Sequence, residues 1–179
     1  MHTLEDLSHL ARQLLAKTYT FTIYGTTYNV NPYLDLDYTF KFDTAKRRLG
    51  CCKYSRKQIT LSKPLALNNM DKVHGKLTDT ILHEIAHALS YGTFGSRGRG
   101  HGDIWQTIAK QIGCNAERCY THDEIDKVQS KYSLICPTCD RETSRHRLPK
   151  SGLACGKCCN EHSNGQYDST HDFIIKKNY

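Results

Sequence analysis

The chain has 179 residues, 38% of them hydrophobic, and its 25 Lys and Arg against 18 Asp and Glu give a formal charge of +7. That length suits one ordinary domain, or one with a small appendage, and a mean hydropathy of −0.62 allows a modest core. No apolar run approaches the ~20 residues of a membrane-spanning helix, and Met1-His2-Thr3-Leu4-Glu5-Asp6 lacks the basic start and apolar centre of a secretory signal. A membrane protein and a secreted one are therefore set aside, and an intracellular monomer is expected. The nine cysteines, odd in number and without a signal, point to metal binding rather than to disulfides.

In chain order, Leu4, Leu7, Leu10, Ala11, Leu14 and Leu15 fall at helical intervals behind Thr3 as a candidate N-cap. This predicts a packing helix without chemistry of its own. From Tyr19 to Tyr24 the residues are β-formers, Gly25 breaks the run, Thr27 to Val30 resume it, and Asn31-Pro32 marks a turn. Tyr38–Phe42, Leu49–Lys53 and Gln58–Leu61 predict further short strands. The expectation is an α+β fold with a small, mainly antiparallel sheet laid on helices. Cys51 and Cys52 lie in one of these strands and read as buried thiols. Lys46, Arg47, Arg48, Lys53, Arg56, Lys57, Lys63, Lys72 and Lys76 are opposed in their own stretch only by Asp71. Such an excess points to an anionic partner, nucleic acid foremost, with a merely solvated basic face as the alternative.

Ser62 to Lys76 reads as a loop with a short helix, and Thr78-Asp79 leads into Thr80-Ile81-Leu82-His83-Glu84-Ile85-Ala86-His87-Ala88-Leu89. His83 and His87 are four apart and share one helix face, the spacing at which two imidazoles hold one zinc ion. Two histidines can fall at this spacing by chance. Here the apolar flanks bury the helix, and buried polar residues need partners. Gly92, Gly95, Gly98 and Gly100 then let the chain reverse, and a second apolar helix begins near His101 and carries Ile104, Trp105, Ile108, Ala109 and Ile112 up to Gly113. His101 is preferred as third ligand over Glu117 or Glu124, because it opens an apolar helix directly after a glycine hinge. Three neutral ligands and an open fourth position define a catalytic zinc site, where the metal lowers the pKa of bound water to about 7 and polarises a carbonyl. Glu84 would take the water's proton and pass it to the leaving amine, which supplies each part of peptide-bond hydrolysis.

Beyond a polar stretch, Cys136-Pro137-Thr138-Cys139 and, fifteen residues on, Cys155-Gly156-Lys157-Cys158 have zinc-ribbon spacing. Four thiolates close a tetrahedral site, so this second zinc would be structural. Cys159 could replace Cys158, and Cys114 and Cys119 are free thiols or a ligand pair. Arg141, Arg145, Arg147, Lys150 and Lys157 make the ribbon a candidate for phosphate contacts, and Tyr132 could stack on an exposed base. Binding would be sequence-independent, to single-stranded or non-specific DNA; a ribbon that only braces its neighbour is the alternative. The composition shift places a boundary near Lys131, giving domains 1–130 and 131–179. The tail after Cys159 reads as weakly structured apart from a strand at Phe173-Ile174-Ile175.

His83-Glu84-x-x-His87 followed by His101-Gly102-x-x-Trp105 resembles the SprT-like metalloprotease family, which includes the Spartan proteases. The resemblance extends to the leading helix, to Leu49-Gly50 and Ile59-Thr60-Leu61-Ser62, and to the cysteine module, and it covers most of residues 1–160. It implies a zincin-like core, a zinc-dependent endopeptidase with His83, His87 and His101 as ligands, and, in the Spartan branch, substrates covalently trapped on DNA. The chain departs from that branch in carrying no recognisable ubiquitin-binding or clamp-binding motif in its tail. A binding module with an inactive first site and a general peptidase unconnected with DNA are the competing readings; Glu84, which a structural site has no need of, favours an enzyme.

Overall fold

The computed structural model describes residues 2–117 and 125–179. They form two compact units that divide between Val128 and Gln129.

The first unit opens with helix α1 (Leu4–Ala16), whose Thr3 N-cap and Asp6 bond reciprocally as a capping box. Leu7, Ala11 and Leu15 form its buried stripe. Strands β1 (Tyr19–Ile23) and β2 (Thr26–Val30) pair as an antiparallel hairpin, with Tyr19, Phe21 and Ile23 alternating into the core. Strands β3 (Thr39–Asp43), β4 (Gly50–Lys53) and β5 (Gln58–Ser62) form a second sheet in the order β3-β5-β4. β4 runs antiparallel to β5, whereas β3 runs parallel to it. Ile59 and Leu61 of the central strand are fully buried, as their apolar run requires.

Ser62 caps the short helix α2 (Lys63–Asn68). A π-helical turn at Val73–Leu77 then runs directly into helix α3 (Thr78–Phe94). α3 is the spine of this unit. Ile81, Ile85, Ala86, Ala88 and Leu89 are inaccessible, so the helix is enclosed on nearly all sides. Helix α4 (Asp103–Gln111) packs on it through Ile104, Trp105, Ile108 and Ala109, starting two residues after His101.

In the second unit, β6 (Tyr132–Ile135) is the central strand between β7 (Glu142–Arg145) and β8 (Ile174–Lys177), both antiparallel to it. Helix α5 (Gly156–His162) carries the second cysteine pair. The tail is more ordered than expected. The strand expected at Phe173-Ile174-Ile175 is present as β8 and completes the sheet, and Phe173 packs beside the cysteines; only these contacts between distant segments were not announced by local pattern. Among the described residues no helix is long and apolar enough to cross a membrane.

Candidate metal centres

His83 and His87 project from one face of α3 because they lie a single turn apart. His101 reaches them from the turn before α4, and Gly98 makes that approach possible. The 3-10 turn Gly95–Gly98 presses on α3, where Ser90 Oγ donates to the Gly98 carbonyl at 2.7 Å. A Cβ on Gly98 would collide with the Ser90 backbone carbonyl.

The three Nε2 atoms converge: His101 Nε2 lies 3.0 Å from that of His83 and 3.1 Å from that of His87. Nitrogen ligands of one tetrahedral zinc stand ~3.3 Å apart. Burial and then the neighbouring His101 push the His83 pKa down to about 4. Burial, with His83 and His101 beside it, pushes His87 down to about 3. Both rings are therefore neutral near pH 7, and lone pairs meet in a space where a cation relieves their repulsion. The donor set fits zinc. Trp105 packs against all three rings, with centroids 4.5 to 5.0 Å away. In the sequence Trp105 stood at a core position and closed the His101-Gly102-x-x-Trp105 stretch; its packing on all three rings was not visible there.

The outer nitrogens are held as well. The His83 ring donates to the backbone carbonyl of Glu117, and His87 Nδ1 lies 3.2 Å from Tyr54 Oη. Glu117, considered above as a ligand, thus contributes its backbone instead. Glu124 and Cys119 lie outside the described residues. Cys114 is buried against the Asp79 carbonyl.

Glu84 is 7% exposed and lies under β4. The Cys52 backbone N–H faces its carboxylate. A Cβ on Gly50 would stand 2.7 Å from Glu84 Oε1 and 2.7 Å from Thr80 Cγ2, so glycine alone lets the strand come this close. Burial raises the Glu84 pKa to about 7, with the Cys52 N–H and Arg48 opposing the rise. Arg48 is held by Asp43 at 2.7 Å. Burial favours the neutral form of Asp43, but the Ala45 N–H, Arg48 and Thr60 outweigh it and hold the carboxyl below its ordinary value. Cys51 and Cys52, expected to be buried thiols, are partly buried on the edge strand, with Cys52 packed against the core.

In the second unit, Cys136 and Cys139 follow β6, and Cys155 and Cys158 lie at the start of α5. Cys136 and Cys158 sulfurs are 3.7 Å apart, and Cys139 and Cys155 sulfurs 3.9 Å. Disulfide sulfurs would stand at about 2.05 Å, whereas sulfurs on one zinc stand ~3.8 Å apart. Burial works to raise the Cys136 thiol, but the backbone N–H groups of Cys139 and Thr138 bring it down to about 6, toward the thiolate a metal needs. Cys158, rather than Cys159, supplies the fourth sulfur of the cluster. The described residues therefore hold two distinct candidate metal clusters, a histidine triad and a cysteine tetrad, consistent with one catalytic and one structural zinc site.

The SprT-like family model matches residues 18–126, more than half of the chain. The chain belongs to the SprT-like family. Protein SprT of Pseudomonas fluorescens strain Pf0-1 is 31% identical over 91 residues, covering 47% of this chain and 56% of that protein. Protein SprT of Pseudomonas putida strain W619 is 30% identical over 89 residues, 46% of this chain and 54% of that one. The chain spans about half the length of the curated relatives it matches. No solved structure matches it. The SprT-like match encloses the histidine triad and Glu84 and ends before the cysteine tetrad. With that triad, the first unit is a zinc-binding, protease-like fold consistent with SprT-type metalloprotease activity.

Proposed function

We propose that the chain is a zinc endopeptidase that acts inside the cell on proteins bound to, or crosslinked with, DNA. One observation carries the enzymatic part: a buried carboxylate, Glu84, sits in the helical turn between two histidines of the triad, against the strand that carries Gly50. A purely structural site has no use for it. His83, His87 and His101 would hold the metal, which when bound polarises the scissile carbonyl and lowers the pKa of bound water. Glu84 takes a proton from the attacking water as its oxygen bonds to the carbonyl carbon. The same carboxyl delivers that proton to the amine nitrogen as the C–N bond breaks. An open groove lined by Gly100, His101, Trp105, Gln106 and Ala116 gives a peptide access to the triad.

The DNA part is supported by exposed cations. Arg141, Arg145, Arg147, Lys150 and Lys157 all face solvent in the second unit, as do Lys46, Arg47, Arg56 and Lys63 in the first. A general peptidase is favoured by a different observation: Arg48, Lys57 and Lys72 of the basic segment are paired with Asp43, Asp37 and Asp126. Two of those pairs join residues far apart in sequence, so the segment is less cationic in the fold than in the chain.

Incubating the wild type and Glu84→Gln with a basic DNA-binding protein, with and without single-stranded DNA, tests both parts. Cleavage by the wild type alone, and only with DNA, is expected. Cleavage regardless of DNA removes the link to DNA, and equal cleavage by both proteins removes Glu84 as the base. Replacing Arg145 and Arg147 together should weaken DNA binding and flatten its salt dependence by about 0.7 in log–log slope for each single-strand phosphate no longer neutralised. An unchanged slope would exclude the ribbon as a contact surface.

A further inference from the structure

Tyr54 lies in a 3-10 turn just beyond β4, far in sequence from any histidine of the triad. Its hydroxyl is 3.2 Å from Nδ1 of His87. The backbone N–H of Gly100, the residue immediately before His101, faces the same oxygen. Tyr91, one turn past His87 on α3, lies against the Tyr54 ring at a centroid distance of 4.4 Å and a tilt of 31°. This packing holds the plane of the ring.

The chemistry of His87 sets the direction of the hydrogen bond. Its Nε2 stands 3.1 Å from that of His101 and must offer a lone pair to hold a cation. The ring proton then belongs on Nδ1, and Tyr54 is the acceptor that keeps it there. We infer that Tyr54 is a positioning residue of the metal centre: its one oxygen sets the tautomer of the second ligand and anchors the loop that delivers the third. The inference rests on the reading of the triad as a metal site and extends it to a residue outside the ligand motif.

The test uses the full chain and the variant Tyr54→Phe, which keeps the ring and its packing on Tyr91. Zinc is titrated against a chromogenic chelator, with His101→Ala identifying the share held by the triad. The triad's dissociation constant for zinc is expected to rise about 10–100-fold in Tyr54→Phe, the usual effect of removing an outer hydrogen-bond partner. A value within about twofold of wild type overturns the inference while leaving the triad intact. If the wild type binds no more zinc than His101→Ala, the metal site itself fails and the inference with it. Long-range proton–nitrogen correlation on the metal-free wild type gives a second readout that does not depend on the variant folding. A His87 ring protonated on Nδ1 is expected, and one protonated on Nε2 overturns the assignment. In Tyr54→Phe the two tautomers should mix, a signature that poorer packing alone does not produce.

Discussion

Gly50 and Glu84 show how a single atom of clearance governs the candidate active site. With 2.7 Å between a would-be Cβ and both Glu84 Oε1 and Thr80 Cγ2, Gly50→Ala must move either the strand or the carboxylate. Overpacking of this kind costs about 1–3 kcal/mol. Urea denaturation should show that loss, and peptidase activity should fall with it because the Glu84 carboxylate is displaced. An alanine variant as stable and as active as wild type would mean that the strand does not position the carboxylate. His101→Ala removes one of three converging nitrogens and should lower the zinc content by about one ion, measured by atomic emission, while the cysteine tetrad keeps its own. Unchanged stoichiometry would return the third position to other candidates. In the sequence, Gly50 entered only through the family resemblance, with no role attached, and Tyr54 was an ordinary tyrosine within a basic stretch. Their roles depend on what lies across from them, which linear spacing does not encode.

The glycine-rich passage between α3 and α4 acts as a shaped connection. Ser90 on α3 grips the Gly98 carbonyl, and Gly98 has no room for a side chain. Gly98→Ala is therefore expected to shift the turn that leads to His101, and to weaken zinc binding at the triad more than it lowers the melting temperature. Equal zinc affinity would show that His101 is placed by α4 alone. The amino-terminal helix provides the contrast. Thr3→Ala breaks the capping box and should cost about 1 kcal/mol in chemical denaturation without changing zinc affinity, since α1 carries no ligand. The periodicity of α1, α3 and α4 and the cap at Thr3 were legible because each depends on residues within one or two turns. The parallel pairing of β3 with β5 was not, because β4 lies between them in the chain and pairing direction depends on where the connections run.

At the scale of the whole molecule, two cores of different kinds coexist. The first unit buries a continuous apolar cluster from Leu7 to Cys114. The second gathers three buried cysteines, with Cys139 and Phe173 beside them, and a core that small rarely sustains a fold without a staple. A structural zinc supplies about 10–16 kcal/mol of apparent binding energy at pH 7. Chelation should therefore release amide protection across β6, β7 and β8 in hydrogen exchange while β5 and α3 stay protected. Joint loss of protection in both units would show that the first unit's core also depends on metal.

By itself the sequence determined the chemistry available to this protein. Histidines one turn apart, an adjacent glutamate, a third histidine after a glycine hinge and two Cys-x-x-Cys pairs are local patterns, and ligand spacing is fixed by helix and turn geometry. It also determined the α+β class, since hydrophobic periodicity follows from the 3.6-residue and two-residue repeats of helix and strand. The tertiary structure decided which partners those groups meet: Tyr54 beside His87, the Glu117 carbonyl on His83, β4 over Glu84, Trp105 against the triad, and carboxylates on several of the lysines and arginines. Nearly all of these join segments separated by a loop or a whole element. Such meetings arise only when the hydrophobic core has folded the segments together.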